Sequence, residues 1–599
     1  MKLVFDIEAD GLLNTITKVH CLVAQDVDTG EVYKFIGHKE IIDKGLPLLD
    51  GAEEVAGHNI ISYDLPALKK IFAWKLNGNV KVFDTLLAGK LSNPDIYNTD
   101  VTGRYRNLEK KNYGSYSLES FGQRLGNFKG SKPVDFAVFT EEMLTYCVQD
   151  VDTNTTVYKY LKSLNLSEQA LAIEHNFWHN TMAMEESGFP FDSKAASSLY
   201  AKLTAERENI RKELTTLFPV RVIDRVSEKT GKPLKPKTIE FNPSSRDHIA
   251  YWFKEKYQWT PKAFTPSGKA EINADILEEL DYPEAAELKR YFILDKVIGM
   301  IAEGKGAWLT LVGNDGRMHG RINTIGAATT RCTHSGPNMA QVPSVRKPFG
   351  EDCRSFFHAP KGYKQIGTDL NAIELRCFAH YLGAYDDGEY TNIILGGDIH
   401  WANAVAAGFH PPLPEGQAYD SSIKEQKLAR DRAKTLIYAM IYGAGDPKLG
   451  QIVGGGSKEG KAIRKKLYEN FPAIEKLTND VKKAAESRGS IKLMHGAQIP
   501  IRKAFAALNT LLQGAGAVIA KEWLNVAREM ADSKGWKYDK DFWFAAHIHD
   551  EIQAFAKDEI AKDFANLMEA AAQEAGARLG MRCRVDAEAK VGTNWATCH

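Results

Sequence analysis

Along the first 90 residues, short apolar runs alternate with segments of helical spacing. KLVFDIEA, VHCLVAQDV and EVYKFIG read as strands, with DVDTGE as a turn signal between two of them. LPALKKIFAWKL is apolar at helical intervals, which gives this region an α/β texture. From about 135 to 218 the pattern is mostly helical. Residues 219–240, PVRVIDRVSEKTGKPLKPKTIE, are Pro- and Lys-rich without a long apolar face and read as a loop or a short β connection. Helical patterns return over 244–306, a mixed region runs to about 370, and a long helical block covers 372–490. The last 90 or so residues mix helices with an apolar hairpin, FWFAAHIHDEIQAFA. There is no fixed-period repeat and no low-complexity tract.

Composition narrows the class. The chain has 599 residues, 44% hydrophobic and 26% charged, which fits several globular domains and excludes a disordered or fibrous chain. Lys+Arg and Asp+Glu are both 77, so the formal net charge is zero. That argues against a protein that coats nucleic acid with its whole surface, but leaves room for a local basic cleft. One local excess lies at 102–132, with seven Lys/Arg against two Asp/Glu, and reads as a solvated loop or a nucleic-acid contact. The seven cysteines are odd in number and none are spaced C-x-x-C, so scattered reduced thiols are expected. Asp6 and Glu8 interrupt any signal-peptide apolar region, and no run of about 18 apolar residues exists to span a membrane. The expectation is a cytoplasmic soluble enzyme.

Four carboxylates near the N-terminus suggest chemistry. Asp6 and Glu8 lie two apart on a strand, so both face the same side, where they repel unless cations sit between them. HNIISYD places Asp64 before a helical run, and in YCVQD the i, i+4 spacing of Tyr146 and Asp150 puts them on one helix face. Each piece alone is also compatible with an ordinary polar surface. A second group lies far downstream. Asp369 ends an apolar β-like run in YKQIGTDLNAIELR, and Asp550 and Glu551 lie at the hairpin turn of HIHDEIQ. Between them RDRAKTLIYAMIYG spaces Arg430, Lys434, Tyr438 and Tyr442 four apart, one slowly drifting helical stripe. Two cations followed by two aromatics suit a triphosphate with a stacked base; the plainer reading is an amphipathic helix with a snorkelling basic end.

DLNAIELR, RDRAKTLIYAMIYG and HDE together resemble the signature motifs of family A DNA polymerases, in wording nearest the phage replicative branch. MAMEESGFPFD, FNPSSRD, TTRCTHSGPNMAQVP, GDIHWANAVAA, ALNTLLQGAGA and GTNWATCH extend the resemblance through the chain. The N-terminal carboxylates and Tyr146 resemble the DEDD-type exonucleases of the tyrosine subclass. The resemblance implies α/β and α+β multidomain architecture: a ribonuclease H-like exonuclease domain followed by a right-hand polymerase. The expected parts are exonuclease 1–165, thumb 166–306, palm 307–385 and 509–599, and fingers 386–508.

The resemblance also implies roles. Asp6, Glu8, Asp64 and Asp150 would bind two Mg²⁺ (or Mn²⁺) ions, with Tyr146 orienting the attacking water. Asp369 and Asp550 would bind two more at the polymerase centre. Arg430, Lys434 and His400 would grip the incoming triphosphate, with Lys434 giving a proton to the departing pyrophosphate. Tyr438 would pack on the sugar, Glu374 would help exclude a ribose 2′-hydroxyl, and Tyr442 would stack near the templating position. His549 and Glu551 would flank the primer terminus. Arg331, Asn509 and Gln513 would hydrogen-bond in the minor groove, whose acceptors are nearly the same for every base pair. Three positions depart from the family pattern: Thr330 and Asn371, where Gly and Ser are usual, and Gly496-Ala497, where Gly-Arg is usual.

The implied activity is primer extension with 3′–5′ proofreading in replication of phage DNA. The implied partners are primer–template DNA, deoxynucleoside triphosphates, a helicase-primase and a single-strand binding protein, with no membrane partner. Thioredoxin is not expected, because 219–240 is too short for the thumb insertion that captures it. Three rivals remain: a nuclease with a synthesis-defective C-terminal region, a non-catalytic scaffold, and an ATP-driven motor. The last rests on GGSKEGKA at 455–462, which fits a P-loop except that Ala462 lacks the hydroxyl that would bind Mg²⁺.

Overall fold

The computed structural model describes residues 1–598 apart from 131, 134, 228 and 415. It divides into two compact units, residues 1–187, 322–333 and 366–590 in the first, and 188–321, 334–365 and 591–599 in the second.

The first unit begins with a five-stranded sheet. Its strands are β1 (Lys2–Ala9), β2 (Val19–Asp26), β3 (Val32–Ile36), β4 (Glu54–Gly57) and β5 (Lys81–Asp84), in the order β3-β2-β1-β4-β5. β1 runs antiparallel to β2 and parallel to β4, and β4 is parallel to β5. Both faces of β1 are covered. Leu3, Phe5 and Ile7 join one apolar cluster, while Val4 joins another with Cys147 and Val151. This two-sided burial explains the nearly continuous apolar run. The same alternation puts Asp6 and Glu8 on the Val4 side, toward the helix that carries Cys147.

Helix α1 (Asp64–Phe72) follows β4 and ends four residues before the helical pattern of the sequence does. Ala73 turns left-handed (φ 51°), and Asp50 then takes the chain over, accepting from Trp74 Nε1 at 2.9 Å and from the Asn77 amide at 2.8 Å. A tertiary partner here overrides helix propensity. Helices α2 (Glu141–Ser163) and α3 (Glu168–Ser187) complete the N-terminal part.

The C-terminal part of this unit is built on β6 (Tyr363–Leu370), α4 (Ile373–Leu382), α5 (Ile399–Ala407), α6 (Lys424–Ile441), α7 (Ala507–Ser533), β7 (Phe542–Ile548), β8 (Glu551–Lys557) and β9 (Ala587–Gly592). The sheet order is β7-β8-β6-β9. Its core gathers Trp523, Phe542, Phe544 and Phe564. Helix α7 is buried almost all round its middle turns, which accounts for its long apolar stretch.

In the second unit, residues 219–240 form the short β connection: strands Arg221–Val226 and Pro233–Ile239 pair antiparallel. The helical pattern over 244–306 breaks between Tyr257 and Ala274. Pro261, Pro266 and Gly268 (φ 78°) lie in that gap and cannot continue a helix. All seven cysteines are free and buried. No described helix is long and apolar enough to cross a membrane.

Candidate active sites

The N-terminal carboxylates come together around β1. Asp64 opens α1, and its Oδ1 accepts from the Ile7 amide at 3.3 Å, which pins that helix end between Asp6 and Glu8. Ligand atoms of Asp6, Glu8 and Cys147 lie within 4.8 Å of one another. Asp150, one turn along α2 from Tyr146, pairs with Lys129 at 2.5 Å, and the Lys129 ammonium lies 5.0 Å from the Tyr146 ring centre. All four carboxyls are held above their ordinary range. Burial is the first cause throughout. At Glu8, which is pushed up to about 8, repulsion from Asp150 adds to it. Asp64 rises to about 7, although backbone amides partly offset its burial. Asp6 is raised further by Asp64, Glu8 and Asp150, and Asp150 rises despite the opposing pull of Lys129.

Asp150 Oδ1 is buried without a hydrogen-bond partner among the described residues. Mutually repelling, buried oxygen donors fit hard divalent cations. Beside them opens a cleft of about 890 Å³ lined by His58, Lys90, Tyr116, Phe128, Lys129 and Lys132 among others. Lys129 is a residue that sequence reasoning did not single out. Its signal was the basic excess at 102–132, which contains it. The excess is not one surface: Arg124 from the same stretch is buried and paired with Asp100 at 2.8 Å.

The second centre forms where β6 meets the turn between β7 and β8. The Leu370 amide donates to the Asp550 carbonyl at 3.0 Å, so the residue after Asp369 is bonded directly to Asp550. The turn has only two residues, His549 and Asp550, between the paired Ile548 and Glu551. His549 takes φ 58°, a left-handed conformation that most side chains avoid, as turns of this length require. Burial raises the Asp550 carboxyl above its usual range, against the pull of His549 and Arg331. Glu551 is buried and accepts from Gln553 at 2.8 Å.

Glu374, in the first turn of α4, holds two of the expected residues at once. It accepts from Arg331 at 3.2 Å and from the Tyr442 hydroxyl at 2.8 Å. Tyr438 stands between Tyr442 and His400, with ring centres 6.1 Å away on each side. The fields of Glu374 and Asp550 reach its hydroxyl. His400 is pushed down to about 4, by burial first and then by the charges of Arg430 and Lys434. The three expected triphosphate contacts are therefore neighbours, with His400 neutral.

Arg430 pairs with Asp398 at 2.6 Å. Asp398 also caps α5 by accepting from the His400 and Trp401 amides. This supporting residue was missed, though an Asp just before an apolar helix is a capping signal. Asn509 and Gln513, on the first turns of α7, bond to each other at 3.1 Å. A cavity of about 180 Å³ lined by Arg331, Glu374, Lys521, His547, His549 and Asp550 marks the centre.

Two sequence features resolve here. Thr330, at the position where Gly is usual, takes φ 61°, and its buried hydroxyl has no partner among the described residues. The P-loop-like GGSKEGKA follows helix Asp446–Ile452, not a strand, and Glu459 caps the next helix through the Gly456 amide at 2.8 Å. A P-loop requires a strand before it, so the motor reading fails.

The family model for DNA polymerase family A matches residues 221–597. The chain belongs to DNA polymerase family A. The DNA-directed DNA polymerase of Enterobacteria phage T3 is 35% identical over 725 residues, covering 100% of both chains. That of Escherichia phage T7 is 35% identical over 728 residues, again covering 100% of both. DNA polymerase I of Chloroflexus aurantiacus is 26% identical, over 78% of this chain and 48% of its own. Among solved structures, the POL domain of Pol1 from M. smegmatis, in complex with DNA primer-template and dNTP, matches in fold. Its TM-score is 0.72 at 18% identity, over 99% of this chain and 95% of that one. As a family A DNA-directed DNA polymerase, the chain belongs to enzymes that use divalent metal ions. The nuclease-only and scaffold readings are not favoured.

Proposed function

We propose that this polymerase carries two separate reactions on one chain: primer extension at Asp369 and Asp550, and 3′–5′ proofreading at Asp6, Glu8, Asp64 and Asp150. The observation that carries the extension site is the Leu370–Asp550 backbone bond, which brings two distant aspartates to one end of the sheet beside the Arg430–Tyr442 stripe. The second reaction is supported by the buried Glu8, Asp64 and Asp150 and the half-buried Asp6 around β1, with Tyr146 one helical turn from Asp150.

The donor sets suit Mg²⁺, with Mn²⁺ as a substitute, two ions at each centre. Bound there, such ions would supply activation of the attacking oxygen and neutralisation of the leaving one. The protein's own groups do the rest. Arg430, Lys434 and neutral His400 hold the triphosphate, and Lys434 protonates the departing pyrophosphate. Tyr438 packs on the sugar, Glu374 bars a 2′-hydroxyl, and Tyr442 covers the templating position. Arg331, Asn509, Gln513 and His549 contact the primer–template, with Glu551 beneath. Tyr146 orients the water at the proofreading centre.

We assign residues 1–165 to the exonuclease, 166–306 to the thumb, 307–385 and 509–599 to the palm, and 386–508 to the fingers. The biological role is replication of phage DNA in a bacterial host, alongside a helicase-primase and a single-strand binding protein. We expect extension without thioredoxin, since a hairpin of under 20 residues takes up the segment where the insertion would lie. One labelled primer–template, incubated with Mg²⁺ and with or without the four deoxynucleotides, tests the whole reading. Extension with nucleotides and shortening without them are expected. Shortening alone would leave only the nuclease, and extension alone would remove the proofreading site.

A further inference from the structure

Helix α3 carries none of the site residues discussed so far, yet it buries a charge beneath the polymerase centre. Glu174 on α3 and Lys521 on α7 pair at 2.5 Å, with side chains 0% and 1% exposed. The second Glu174 oxygen has no hydrogen-bond partner among the described residues. The Lys521 ammonium lies 5.6 Å from the ring centre of Phe177, one turn along α3 from Glu174. Phe177 meets the ring of His547 edge-on, with centres 4.9 Å apart at 70°. His547 Nε2 lies 3.2 Å from the carbonyl of Ala520, next to Lys521. Three elements therefore close on one another: α3 through Glu174 and Phe177, α7 through Ala520 and Lys521, and β7 through His547.

His547 stands two residues before the His549–Asp550 turn on the same strand. Lys521, His547, His549 and Asp550 all line the 180 Å³ cavity. A buried ion pair is a poor source of stability, because apolar residues of similar size often serve as well or better. Its cost makes sense where it fixes a geometry.

We propose that the Glu174–Lys521 pair, acting through Phe177 and His547, is a positioning device for the polymerase reaction that holds β7 so that the turn presents Asp550. The proposal rests on the assignment of Asp550 to the extension site. Neither Glu174 nor Lys521 is a catalytic residue in it: both side chains are buried and each is paired with the other.

The test uses the full-length protein. Glu174→Leu and Lys521→Met singly strand a buried charge and lower the melting temperature. The double variant Glu174→Leu/Lys521→Met removes both charges and returns it to within a few degrees of wild type. In that double variant we expect single-turnover extension to stay at least tenfold slow, with the deoxynucleotide KM within about twofold of wild type. Amide exchange over residues 545–552 should be faster, while that of β1 is unchanged. A double variant that recovers both melting temperature and extension rate would overturn the proposal.

If the double variant does not fold, Phe177→Leu carries the test. It leaves the pair intact and breaks only the link to His547, so a wild-type extension rate would refute the device, while Phe177→Tyr should restore what Phe177→Leu loses. Asp550→Asn in parallel separates the two ideas. Retained extension there would remove the site assignment itself, whereas lost extension beside a fully active double variant would remove only the positioning role.

Discussion

Tyr442 donates its phenolic hydrogen to Glu374 across 2.8 Å, joining the C-terminal end of α6 to the first turn of α4. Arg331 occupies the other oxygen of the same carboxylate at 3.2 Å. One carboxylate thus ties a residue expected over the template to one expected in the minor groove, beside the Tyr438 ring.

The proposed role of Glu374 in sugar selection can be tested directly. Glu374→Ala should raise the ratio of ribonucleotide to deoxynucleotide incorporation by roughly tenfold, about 1.4 kcal/mol of lost discrimination. Tyr442→Phe removes only the hydroxyl and should leave that ratio within about twofold. Competition between labelled ATP and dATP on one template reads both.

The two carboxylate centres should be separable. Asp550→Ala should reduce extension by at least ~10²-fold and spare primer shortening; Asp6→Ala should do the reverse, a size typical of a lost electrostatic contact to the transition state. Loss of both activities in a single variant whose circular dichroism is unchanged would contradict two independent sites.

We propose that Tyr438, whose ring is packed between His400 and Tyr442, sets the acceptance of chain terminators. Wild type should use dideoxynucleotides readily, and Tyr438→Phe should discriminate against them by about tenfold or more. Band intensities in a terminator ladder decide it.

His400 gives a pH dependence with a definite sign. Its folded pKa of about 4 lies below the ordinary ~6.5, so between these values the unfolded chain binds more protons. This contribution is complete above about pH 6.5 and is lost as the pH falls through 4, to at most about 3–4 kcal/mol. Denaturant melts at pH 4.5 and 7 should show a smaller difference for His400→Gln than for wild type. Between pH 6 and 9 His400 is already neutral, so the variant's extension profile should keep the wild-type shape.

Thr330 holds φ 61° with a buried, unpartnered hydroxyl. A left-handed non-glycine residue costs roughly 1–2 kcal/mol, of which the extra freedom of glycine in the unfolded chain takes back part. Thr330→Gly should therefore stabilise the protein by about 0.5–1 kcal/mol, read as a higher urea midpoint with unchanged slope.

What depends on near neighbours was legible in the residues alone. Strand alternation placed Asp6 and Glu8 on one side of β1, and helical spacing aligned Arg430, Lys434, Tyr438 and Tyr442 along α6. Both follow from the fixed periods of the elements. Which distant residues meet emerges with the folded chain. Asp369 and Asp550 are 181 residues apart, and no local signal says that the amide after one reaches the carbonyl of the other. Lys129 lies in a basic stretch whose other members face different surroundings, Arg124 on helix Leu118–Leu125 and buried against Asp100 among them. Glu174 and Lys521 look like ordinary charges on amphipathic helices until α3 and α7 pack and remove the water from both. Periodicity reports which side of an element turns inward; the partner on that side is chosen by chain closure over hundreds of residues.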